Sequence, residues 1–67
     1  MIGSKYSIKK FGEKYKAEVI AEQKDNSSKD RTFNKLKIID VDQGSKKVGD
    51  IVTMTNYELN HYQHYMQ

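Results

Sequence analysis

Residues 31–42 read RTFNKLKIIDVD, and their apolar positions do not keep one rhythm. Leu36 and Ile38 share one face of an extended strand, yet Ile39 and Val41 share the opposite face. Side chains alternate strictly along a strand, so this slip means either a strand buried on both faces or a bulge near Ile38 and Ile39. Bulges are the device that bends a short sheet toward a barrel. The stretch therefore predicts a strongly curved sheet.

The flanking segments supply the other strands. In KYKAEVIAE (14–22), Tyr15, Ala17, Val19 and Ala21 fall on one face and Lys16, Glu18 and Glu22 on the other, with Ile20 the exception. That alternation predicts a half-buried strand. KDNSSKD (24–30) is rich in residues whose side chains satisfy turns, and reads as the loop between these two strands. SKYSIKKFGEK (4–14) gives a further strand through Tyr6 and Ile8, turned at Gly12. DQGSKKVGD (42–50) holds Gly44 and Gly49 and reads as a hairpin connection, and IVTMT (51–55) resumes as a strand of mainly β-branched residues. Links this short leave no room for parallel crossovers, so the sheet is expected to be antiparallel.

The ending, TNYELNHYQHYMQ (55–67), changes character. TNYE is a capping box in which Thr55 and Glu58 satisfy each other's backbone N–H. It predicts a helix over about 55–66, too short to stand alone and so packed on the sheet. The expected fold is α+β: a small antiparallel four- to five-stranded curved sheet or SH3-like barrel with one C-terminal helix, in a single domain spanning residues 1–67. Leu59, Tyr62 and Met66 form the stripe expected to face the core. Tyr57, His61 and His64 lie on the far side, with Tyr65 bridging the groups, and this second face is the expected interaction surface for a protein partner or a second copy of the chain.

Sixty-seven residues support only a small core, and the absence of cysteine removes disulfides as a source of stability. The net charge is +3, carried by eleven lysines and the single Arg31. Lysine is a point charge without arginine's bidentate fork, so the excess favours loose attraction to polyanions. Lys9, Lys10, Lys14 and Lys16, joined by Arg31, Lys35 and Lys37, interleave with aromatic rings and give the alternative expectation, sequence-tolerant nucleic-acid binding by a lysine-rich β-surface. No apolar run reaches a membrane span or a signal-peptide core, so no membrane partner is expected and the chain reads as cytoplasmic.

Motifs that carry chemistry are missing. Gly44 and Gly49 lack the pattern of a phosphate-binding loop, and no local signature joins a serine or threonine to a histidine and an orienting group. His61 and His64 are two ligands where zinc needs three or four, so neither metal nor cofactor is expected. Asp40, Asp42 and Asp50 lack EF-hand spacing and read as strand-end residues that flank turns. The expectation is a small non-enzymatic binding module.

Residues 46–66, KKVGDIVTMTNYELNHYQHYM, resemble the ending of many small proteins from bacteriophages and prophages of Gram-positive bacteria. The likeness runs through Gly49, Asp50, Val52, Thr55, Glu58 and Tyr62, and the lysine- and asparagine-rich, proline-free composition looks like the coding of a low-GC bacterium or its phage. It implies an accessory role exercised through binding.

Overall fold

A computed structural model describes residues 2–64, and for His64 the backbone alone. Four main strands run in sequence as β1 (Lys5–Lys10), β2 (Glu13–Lys24), β3 (Thr32–Gln43) and β4 (Ile51–Thr55). They are followed by the helix α1 (Asn56–Tyr62) and a two-residue β5 (Gln63–His64). The sheet order is β4-β3-β2-β1-β5, antiparallel throughout. The sheet is curved and open, with β4 at one margin, and the helix lies across its inner face from β4 to β1.

The curvature comes from the pairing of β2 with β3. Ala17 stands opposite Ile38 and Lys16 opposite Asp40, so Ile39 is passed over in the ladder. Further slips fall between Lys14 and Tyr15 and between Val19 and Ala21, where Ile20 is passed over. The phase change in RTFNKLKIIDVD is thus a bulge, and Ile20, out of step in its own strand, sits in another. Each extra residue sharpens the local twist and exchanges the two faces of the strand beyond it. The expectation for Ala21 is corrected accordingly. Beyond the slip it pairs with Lys35, which is exposed, and is only half-buried itself.

The inner face buries Ile8, Tyr15, Ala17, Val19, Leu36, Ile38 and Met54 together with Leu59 of the helix. Tyr6, Val41, Val52 and Tyr62 pack against this cluster from its margin. Asn34 is the buried polar exception, and its side-chain amide donates to the Met54 carbonyl at 3.4 Å.

The capping box forms as expected. The Glu58 backbone N–H donates to Thr55 Oγ1 at 3.1 Å, and the Thr55 N–H to Glu58 Oε1 at 3.3 Å. The helix is shorter than the predicted span of 55–66, because Gln63 turns to φ −68°, ψ 144° and pairs with Ile8 while His64 pairs with Ser7. The open edge of β1 offers backbone partners for two extended residues, and this ladder replaces a further helical turn. No helix among the described residues is long and apolar enough to cross a membrane.

The β2–β3 loop is held at both ends. Asp25 accepts from the Ser27 backbone N–H at 2.9 Å and from its hydroxyl at 2.7 Å. Asn56, in the first turn of the helix, accepts from the Thr32 N–H at 2.9 Å and donates to the Asp30 carbonyl at 2.8 Å. The Ser27 hydrogen bonds hold the Asp25 carboxyl below its ordinary value.

Two outcomes follow from these arrangements. Ile38→Ala should cost about 2–5 kcal/mol, most of the stability of so small a core, whereas Ile39→Ala at the bulge should cost under about 1 kcal/mol. Urea titration of both variants checks this, and equal losses would deny the bulge. A carboxyl with a lowered folded value stabilises its loop above the unfolded value of about 3.9, and that contribution is lost as pH falls through the folded value. The protection of the Ser27 amide, its exchange rate referred to that of an unstructured peptide at the same pH, should therefore fall on acidification below about pH 4, and this fall should be absent in Asp25→Asn.

Candidate protein-interaction surface

The hairpin joining β1 to β2 has a two-residue loop, Phe11–Gly12, closed by the pair Lys10 and Glu13. Phe11 has φ 49° and Gly12 φ 81°, the left-handed pair that a type I′ turn demands. Asn-Gly suits such a turn, because asparagine tolerates the left-handed region and glycine prefers it. Phenylalanine there costs about 1–2 kcal/mol relative to a residue at ease. The residue is nevertheless 85% exposed.

Phe11 gathers neighbours on the helix. Its ring centroid lies 5.9 Å from that of Tyr62, which meets the edge of His61 at 4.8 Å. Lys10 Nζ stands 4.9 Å from the centre of the Tyr62 ring and 5.7 Å from that of Phe11. It also reaches Glu58 at 3.7 Å, a surface pair worth at most about 1 kcal/mol. One turn back on the helix from His61, Tyr57 is 53% exposed. The half-buried Lys10 ammonium thus lies between the rings of exposed Phe11 and half-buried Tyr62, with exposed His61 stacked edge-on against Tyr62.

A hollow of about 160 Å³ adjoins this group, lined by Lys10, Phe11, Glu13, Tyr15, Val52 and Met54 among others. The end of β3 closes tightly on Glu13: a Cβ on Gly44 would stand 2.7 Å from Glu13 Cγ, so only glycine fits there. Lys46 Nζ lies 3.5 Å from Glu13 Oε2, an ionic contact, while that buried oxygen accepts no hydrogen bond among the described residues. Burial and the neighbouring Glu13 charge both raise the Tyr15 hydroxyl above its ordinary value, which keeps the phenol neutral.

The structure divides the residues expected at the interaction surface. Tyr57 and His61 are exposed on α1, as expected. His64 is not on the helix but in β5 opposite Ser7, so His61 and His64 share no helical face and the chelating spacing is lost. Tyr65, like Met66, lies outside the described residues. Phe11 and Lys10 join the surface instead. The signal for Phe11 was in the sequence, where a bulky ring precedes glycine in a two-residue turn.

The basic residues are also divided. Register places Lys9, Lys14, Lys16, Lys35 and Lys37 on the outer face of the sheet. Lys10 is half-buried beside the helix, and Arg31 sits in the β2–β3 loop with its guanidinium 3.4 Å from Asp25. On the outer face Glu18 lies between Lys5 and Lys37, and Asp40 opposite Lys16. That face is chequered in charge, though Lys9 and Lys14 stand directly opposite each other. A groove of about 580 Å³ crosses it near the β2–β3 loop, with Ala21, Phe33 and Thr53 in its lining beside Lys24, Lys35 and Asp25.

No group of three or more metal-ligating side chains occurs among the described residues. No family model matches the chain, and no curated protein or solved structure matches it either.

Proposed function

We propose that the protein is a non-enzymatic binding module of the cytoplasm that grips another protein through Phe11, Tyr62, His61 and Tyr57, with Lys10 among them. The observation that carries this reading is Phe11: an apolar ring in a strained left-handed turn, held in solvent. Strain of that kind persists where something other than folding selects it. Aromatic residues dominate the energetics of protein contacts because they bring large area at little entropic cost. An accessory role, of the kind served by small phage and prophage proteins, agrees with a chain that offers such a surface.

A second reading, sequence-tolerant nucleic-acid binding, has its own support in the outer groove, where Phe33 lies between Lys24 and Lys35. Bases stack on such rings while lysines follow the phosphates. Glu22 and Asp25 line the same groove and weaken its attraction for a polyanion.

Phe11→Asn separates folding from binding. It should stabilise the fold by about 1 kcal/mol, a rise of roughly 4–8 °C in the thermal midpoint, because Asn-Gly suits the turn. The same variant, immobilised beside the wild type and exposed to host lysate, should lose the protein that the wild type retains. A variant that is destabilised and still captures the same protein would sink the reading. The nucleic-acid reading requires a labelled single strand to bind at low salt, with a logarithmic salt slope that falls by about 0.7 when Lys35 is neutralised. Absence of any shift at low salt would remove it.

A further inference from the structure

The β1–β2 hairpin opposes the needs of the fold at a second point. Lys9 and Lys14 stand directly opposite each other, next to the pair that closes the Phe11–Gly12 loop, and both are exposed. Like charges facing each other across two strands destabilise a sheet. An acidic residue at either position would remove the repulsion and add an attraction. The rest of the outer face follows that rule, with Glu18 between Lys5 and Lys37 and Asp40 opposite Lys16.

The charges around the hairpin tip do not cancel. Four ammonium groups, those of Lys9, Lys10, Lys14 and Lys46, meet the two carboxylates of Glu13 and Glu58. Lys10 lies 3.7 Å from Glu58 and Lys46 3.5 Å from Glu13, so both carboxylates are taken. Of the acids near the end of β3, Asp40 stands opposite Lys16, and Asp42 is passed over in the ladder between Val41 and Gln43. Among the described residues neither Lys9 nor Lys14 forms an ion pair. The next residue in their row is Gln43, opposite Lys14, which brings no charge.

We infer that the protein gripped by this surface is acidic, and that its cleft closes over the hairpin tip with carboxylates seated on Lys9 and Lys14. The inference rests on the proposed function, whose contact residue Phe11 occupies the same tip, and adds the chemistry of the partner. Phe11 packs toward Tyr62 and so lies on the inner side of the hairpin, whereas Lys9 and Lys14 lie on the outer side. A flat partner meets one side only. A partner that encloses the tip meets both, and buries the ring within a rim of carboxylates. Binding then neutralises the repulsion that the free chain carries at Lys9 and Lys14.

Charge selects this occupant. A second copy brings its own excess of positive charge, because the chain carries a net +3. A nucleic acid is negative along its whole length, so the phosphates next to Phe11 would also meet Glu13 and Glu58. Single carboxylates on a protein can be placed to avoid them. Attraction of this kind steers the two surfaces together before contact and fixes their orientation.

Nuclear magnetic resonance titration of the intact chain tests the inference, with a short synthetic peptide of alternating glutamate and leucine as the probe. The peptide should shift the backbone resonances of Lys9, Phe11 and Lys14, and the same peptide with glutamine for glutamate should not. Lys9→Gln combined with Lys14→Gln should weaken binding about tenfold with an unchanged circular dichroism spectrum. Lys14→Glu should lose the peptide and raise the thermal midpoint by about 2–4 °C, since it faces Lys9 with an opposite charge. A lowered midpoint would show that the fold itself uses Lys14, and overturns the inference. So does the absence of any shift at Lys9 and Lys14, or an equal response to inorganic phosphate at the same ionic strength, which marks loose counterion attraction alone. Tighter binding of an oligothymidylate of equal charge at these lysines overturns it in favour of nucleic acid. Capture of the host protein is read separately. Its survival in Phe11→Asn, with Lys9 and Lys14 still answering the acidic peptide, removes the ring contact and leaves the charge site.

Discussion

Strict alternation of side chains along a strand is the constraint from which the rest of this structure follows. With two twelve-residue strands paired at the centre, an unbroken ladder would be a long, gently twisted ribbon with one apolar side. Each residue passed over in that ladder rotates the remainder of the strand by one face. At Ile39 the rotation lets Val41 return to the inner side after Ile38, so the core continues to the far end of β3. At Ile20 it does the reverse, ending the core-facing run of β2 after Val19 and turning Ala21 outward beside Lys35. The added twist brings β4 and β1 close enough for a helix of only seven residues to reach from one to the other.

How much of this could be read from the chain depends on where the information lies. The four strands, the Gly12 turn and the capping box are local, each written in a few adjacent residues, and all are found where the sequence placed them. The bulge at Ile39 was also legible, since two pairs of apolar residues out of phase admit few structures. The end of the helix was not. Residues 60–67 hold neither glycine nor proline, and what stops the helix is the unpaired edge of β1, a partner more than fifty residues away in sequence. Ala21 was misplaced for a related reason, because a slip in one strand is fixed only by its pairing with the next.

The candidate surface shows the same division. Tyr57 and His61 were found by helical spacing, which holds over the turn that separates them. His64 was lost with the last helical turn, and Lys10 parted from the other lysines because alternation sends Lys9 and Lys10 to opposite faces. A linear cluster of lysines therefore overstated the positive field of the outer face, where Glu18 and Asp40 are interposed by register. Clusters in sequence become clusters in space on a helix or loop. On a strand they are divided in two.

Exposed apolar residues in a domain this small fall into two kinds. Ile20 and Ile39 are exposed because each follows an inward residue, Val19 and Ile38, and alternation along the strand alone accounts for them. Phe11 has no such account, because asparagine would suit the turn better. With only eight apolar residues buried among those described, a chain selected for folding alone had reason to spend its large side chains inside. Where local choice opposes the needs of the fold, some other requirement has set the residue. At the hairpin tip the residue is an exposed ring in a left-handed turn, and it is this departure from local ease that the proposed protein contact rests on.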